Sequence, residues 1–394
     1  MIQNGQIIHN ALILAADRRS IRLVDILFAD HILQISAPGT ITGSYPATDL
    51  QGKLLIPGCI DAHVHFNDPG FNHHETFLTG TMSAACGGIT TVIDMPCTSQ
   101  PPVTTLENMQ IKLDAIRSRA LIDYALWGGI RGNDYPFPTA EIEQLWEAGV
   151  TGFKIYTTSG METFQALTYP QIAELFARFP HLLFAFHAED SSVIKQVENT
   201  LSPLQKANWQ SYPYLRSVEA EETAVKNILA LASAASIHFV HISSKAAARR
   251  IISNRLHHDV SLETCPHYLQ FTSEDFARLT GRLKTAPSVK FPADRLFLRN
   301  ALQNSEIDFV ASDHAGCDFT TEKELADFSR IYSGIPGTEL MIPYLFSEFY
   351  LKEGVSLDIM QKITSENAAH RYGLYPRKGN LAPGSDADFT IIDL

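Results

Sequence analysis

Leu54-Leu55-Ile56-Pro57-Gly58-Cys59-Ile60-Asp61-Ala62-His63-Val64-His65 is an apolar run that ends in two histidines separated by one residue. Side chains alternate faces along a strand, so His63 and His65 project to the same side. Two imidazoles converging from one strand end supply half of a metal site. The stretch reads as a strand over Leu54–Ile60 with chemistry at its C-terminal end. Whether other apolar runs end in the same way decides the fold.

They recur downstream. Short β-branched runs predict strands over Thr90–Met95, Ile122–Trp127, Gly152–Tyr156, Leu182–Phe186, His238–His241, Ser261–Thr264 and Phe309–Ser312. Helical stretches lie between them, among them Glu75–Cys86, Leu106–Ser118, Ala140–Ala148, Ala220–Ala234 and Ala293–Gln303. Eight strands alternating with helices over about 260 residues predict an α/β fold, a (β/α)8 TIM barrel. An open doubly wound sheet would want a glycine-rich dinucleotide loop after its first strand, and the sequence shows none. Residues 1–52 read as short strands, such as Gln6–Ile8 and Asp25–Phe28, and Asp386–Ile392 as one more. The expected organisation is a small β-sandwich unit, 1–52 with 376–394, and the barrel, 53–375.

In a barrel the C-terminal strand ends form the active site. Those ends carry His63 and His65, then Lys154 within Gly152-Phe153-Lys154-Ile155-Tyr156, His187, His241, and Asp313 after Ser312. Any one of these is ordinary; the selection of strand ends by all of them is not. Lys154 is the odd member, because a buried ammonium beside divalent cations is unfavourable. A neutral amine can instead add carbon dioxide and become a carbamate, an anion able to bridge two metals.

Composition narrows the classes. The 394 residues are 45% hydrophobic and 19% charged, an ordinary globular balance. A formal net charge of -12 argues against a nucleic-acid or anionic-membrane partner. Five cysteines, Cys59, Cys86, Cys97, Cys265 and Cys317, with no Cys-x-x-Cys, fit a reducing compartment. The N-terminus lacks a basic stretch before an apolar one, and no run reaches the ~18–20 residues of a span. A cytoplasmic, soluble protein is expected.

His63-Val64-His65-Phe66-Asn67-Asp68-Pro69-Gly70 resembles the His-x-His-x-x-Glu-Pro-Gly signature of the cyclic amidohydrolases: dihydroorotases, allantoinases and hydantoinases (dihydropyrimidinases). Asp94-Met95-Pro96, Gly152-Phe153-Lys154, His187-Ala188-Glu189, His241-Ile242-Ser243-Ser244, Glu263-Thr264-Cys265-Pro266-His267-Tyr268 and Ser312-Asp313-His314 follow in family order. The resemblance implies two divalent metal ions, zinc first. His63, His65, Lys154 and Asp313 would hold one; a carbamate on Lys154, His187 and His241 would hold the other. It also implies Asp313 as proton shuttle, a small cyclic ureide as substrate, and a homo-oligomer, dimer or tetramer. Asn67 stands where dihydroorotases usually carry a carboxylate-binding arginine and allantoinases commonly carry Asn. Allantoinase therefore stands slightly ahead of dihydroorotase and hydantoinase, with a non-catalytic scaffold the rival from another class. Asn67, His267 and Thr285 are expected as substrate contacts. Asp318–Arg330 is a charged, irregular stretch that could lie over the site.

Overall fold

The computed structural model describes residues 4–232 and 234–394; residues 1–3, and Ser233 within the predicted helix Ala220–Ala234, lie outside it. The predicted first strand divides at Gly58. Leu54–Pro57 pairs antiparallel with Phe389–Ile392 and parallel with Gln6–Leu14, in a sheet made by the two ends of the chain. Cys59–His65 is the first barrel strand. The division is steric: a Cβ on Gly58 would sit 2.8 Å from Asp388 Cβ and closer still to Thr90 Oγ1, so the chain crosses between the sheets at its one residue without a side chain. The terminal sheet continues through Ile21–Phe28 to Ile32–Ser36, with Ala47–Asp49 beside Gln6–Leu14. It encloses its own core, including Ile8, Val24, Ile26 and Leu55.

The barrel strands pair in parallel in chain order. Cys59–His65 pairs with Ile89–Asp94, and that with Asp123–Leu126. The third strand breaks at Trp127 and resumes as Gly128–Gly129, which pairs with Phe153–Tyr156. Leu183–His187, Ser236–Phe239, Val260–Thr264 and Phe309–Val310 follow. The eighth strand breaks over residues 311–313 and resumes at His314–Ala315, which pairs with Val64 and His65 of the first. The circuit of eight thereby returns to its start, with interruptions in the third and eighth strands that the sequence reading ran through as Ile122–Trp127 and Phe309–Ser312.

The helices that cover the barrel start where side chains can cap them. Thr76 caps Phe77–Cys86, Asp190 caps Ser191–Thr200 and Ser244 caps Lys245–Asn254. Buried faces such as Ile172, Leu175 and Phe176 in Tyr169–Arg178 pack into the main core, whereas Ser191–Thr200 buries none of its residues. Among the described residues no helix is long and apolar enough to cross a membrane.

Candidate metal centre

Strand alternation and helix capping together place the ligand-type residues. His63 and His65 end the first strand on one face. His187 and His241 each stand three residues before a helix cap, Asp190 and Ser244, so a short turn after the strand end fixes both. His241 and Asp313 adopt left-handed backbone, φ 42 and φ 49, an uncommon conformation for side-chain-bearing residues and one found at functional sites.

The six side chains meet at one end of the barrel. His63 Nε2 and His65 Nε2 lie 3.1 and 3.3 Å from Asp313 Oδ1. His187 Nδ1 lies 3.0 Å from His241 Nε2. The His63 and His241 ring centroids are 5.3 Å apart. Donors bound at about 2.0–2.1 Å to one tetrahedral zinc stand about 3.3–3.4 Å apart, close to these spacings. The His63–Asp313 approach also lacks hydrogen-bond geometry, so buried His63 Nε2 has no partner, nor does fully buried Lys154 Nζ. Two unpaired buried nitrogens beside a carboxylate fit a divalent cation and a modified lysine better than they fit a packed core.

Two of the outward-facing nitrogens are held. His63 Nδ1 is 2.5 Å from Glu263 Oε1, and His187 Nε2 is 2.9 Å from Glu189 Oε2. Arg216 donates to the same Glu189 oxygen at 2.7 Å. Such contacts fix which nitrogen is free to ligate. Burial and the Lys154 amine push His63 and His241 well below the ordinary imidazole range, and burial lowers His187. His65 moves the other way: burial opposes its charge, but Cys97 and Asp313 hold it up at about 10. That negative field would equally draw a metal cation. Burial takes Lys154 down to about 8, despite Asp313.

A cavity of about 290 Å³ opens beside the cluster, lined by His65, Cys97, Tyr156, Arg216, Asp313 and Tyr332 among others. The size suits a small molecule. Cys97 Sγ lies 3.1 Å from Tyr156 Oη, and Tyr156 stacks on His187. None of the three expected substrate contacts lines this cavity. Asn67 is in a left-handed turn, φ 56, and its amide donates to His65 O at 3.1 Å. Thr285 is buried, its carbonyl accepting from Tyr212 Oη; its neighbour Ala286 reaches the cavity instead. His267 lines a different, apolar cavity of about 390 Å³ beside Gly337 and Leu340. The Asp318–Arg330 stretch is fastened by two buried lysines: Lys284 Nζ donates to Phe328 O and Ile331 O, and Lys323 Nζ to Lys284 O and Tyr332 O.

A sequence profile described as the Amidohydrolase family matches residues 54–394. The chain is 36% identical to an allantoinase of Deinococcus radiodurans over 354 residues, covering 88% of this chain and 77% of that protein. It is 33% identical to an allantoinase of Rubrobacter xylanophilus, covering 95% and 83%. Its fold superposes on the L-hydantoinase (dihydropyrimidinase) of Arthrobacter aurescens with a TM-score of 0.90 at 29% identity, covering 98% of this chain and 86% of the other.

Proposed function

The chain belongs to the amidohydrolase family, and from that premise we propose that it opens the ring of allantoin by hydrolysis. Metal-dependent cleavage of a cyclic amide, of the allantoinase type, is the activity its relatives carry. The observation that carries the reading to this site is the meeting of His63, His65 and Asp313 within ligand spacing, beside a small cavity. When bound, a pair of divalent cations, zinc by donor type, acidifies a water and polarises a ring carbonyl.

The chain's residues do the rest. His63, His65 and Asp313 would hold one cation, His187 and His241 the other, with a carbamate on Lys154 between them. Asp313 lines the cavity, where its carboxylate can take the attacking water's proton and return it to the departing ring nitrogen. The product is a ring-opened ureido acid. Allantoin is favoured over dihydroorotate by charge. Arg216, the arginine on the cavity wall, is already bonded to Glu189, so no free guanidinium among the described lining residues awaits a substrate carboxylate. We further propose a homo-oligomer, and a cytoplasmic location that suits five free cysteines.

The test is a panel of allantoin, dihydroorotate, hydantoin and dihydrouracil with zinc-, manganese- and cobalt-loaded protein. Allantoin should give the highest kcat/KM. A preference for dihydroorotate or hydantoin would replace allantoin as substrate, and no turnover of any ring would favour a scaffold.

A further inference from the structure

We propose that Glu263, on the seventh barrel strand, is a positioning residue that couples the two cation positions through one carboxylate. The proposal rests on the two-cation reading above. Glu263 Oε1 is 2.5 Å from His63 Nδ1 and accepts the backbone N–H of His241 at 3.2 Å. Glu263 Oε2 is 3.1 Å from His238 Nε2, and His238 Nδ1 is 2.8 Å from Ser261 Oγ. Glu263, His63 and His238 are fully buried, so no water competes for these contacts.

The two contacts of Oε1 do different work. At His63 it occupies Nδ1, which leaves Nε2 toward Asp313 and fixes the ring plane. At His241 it satisfies a backbone N–H held at φ 42, where the turn would otherwise relax toward ordinary backbone and swing the imidazole from His187. One side chain thus orients a ligand of the first position by its ring and a ligand of the second by its main chain. His238 and Ser261 keep the carboxylate from rotating. The arrangement is legible along Val260-Ser261-Leu262-Glu263, where the strand period sends Ser261 and Glu263 inward together.

The test uses the full chain loaded with zinc and titrated with a graded chelator, reading retained equivalents and the melting temperature of the metal-free protein. Glu263→Gln should weaken retention at both positions together, by about 10–100-fold. Its metal-free melting temperature should move far less than that of Glu263→Leu, because the amide keeps an acceptor for His63 and His241. Loss confined to one position, or none, overturns the coupling. If Glu263→Gln does not fold, His238→Asn and Ser261→Ala test the outer end of the chain; each should cost both equivalents several-fold, and unchanged retention in both overturns the proposal. A wild type that never holds two equivalents would instead overturn the two-cation reading beneath it.

Discussion

Lys154 is a fully buried amine whose Nζ has no hydrogen-bond partner. An ammonium in that position would be left unpaired at several kcal/mol cost, and burial accordingly lowers its pKa to about 8. Only the neutral amine adds carbon dioxide, so carbamate formation in metal-free protein should rise as pH increases through about 8. With ¹³C-bicarbonate, a carbamate carbon signal should grow across that interval and be absent in Lys154→Ala. Lys154→Ala should also lose bound metal, partly restored by short carboxylic acids; full retention without added acid would remove the bridge. Asp313→Asn should keep some metal yet lower kcat by about 10²–10⁴-fold, because its proton transfer goes; near-normal turnover would reassign the base. The six side chains that meet were legible because most stand at or just past a strand end, with Lys154 inside Phe153–Tyr156 as the exception. The cavity lining was less legible, because it depends on where loops travel: the left-handed turn at Asn67 points its amide back to His65 O. Glu263 and Glu189 stood in quoted motifs without a role, since strand-end glutamates look alike until their histidine neighbours are in place.

Gly152 shows how closely the elements must approach. A Cβ there would lie 2.7 Å from Trp127 Cζ3 and 2.9 Å from the Leu183 carbonyl, which belong to adjoining strands or their breaks. Gly152→Ala would wedge the fourth strand away from both neighbours just before Lys154. Overpacking of this kind costs about 1–3 kcal/mol. A lower urea midpoint together with weaker metal retention is expected; a lower midpoint with full retention would show that strand four shifts without moving Lys154. Strand existence was readable from β-branched runs, and ends were right to within a residue or two at most positions. The breaks at Trp127 and at residues 311–313 were not, because periodicity marks apolar runs and carries no sign of a hydrogen-bond ladder changing partners. The C-terminal strand meets the N-terminal strands through Leu54–Pro57, a segment expected in the barrel.

At the scale of the molecule, the terminal sheet is tied to the barrel by Lys378. Its buried Nζ lies 2.5 Å from Asp123 on the third barrel strand and 3.3 Å from Asp386, and also contacts Asp388. These three aspartates lie close enough to hold a metal, but the Lys378 ammonium already pairs with all three. Lys378→Met would leave three carboxylates facing one another. Partial exposure of the aspartates tempers the loss to about 1–3 kcal/mol, smaller than for a fully buried pair. Denaturant unfolding should show the shift, and high salt should narrow the gap from wild type; an unchanged midpoint would mean the sheet is held by its apolar contacts alone. Nothing in the local sequence around Lys378 reveals Asp123 as a partner, since it lies 255 residues away.

The eighth strand rejoins the first through the break that carries Asp313. During synthesis His63 and His65 therefore leave the ribosome some 250 residues before the carboxylate that faces them. A nascent polypeptide stalled anywhere in that interval has an open wall and two imidazoles without their anion. The His63, His65 and Asp313 group cannot assemble until residue 313 has been released, so translation products that end before it should lack that group.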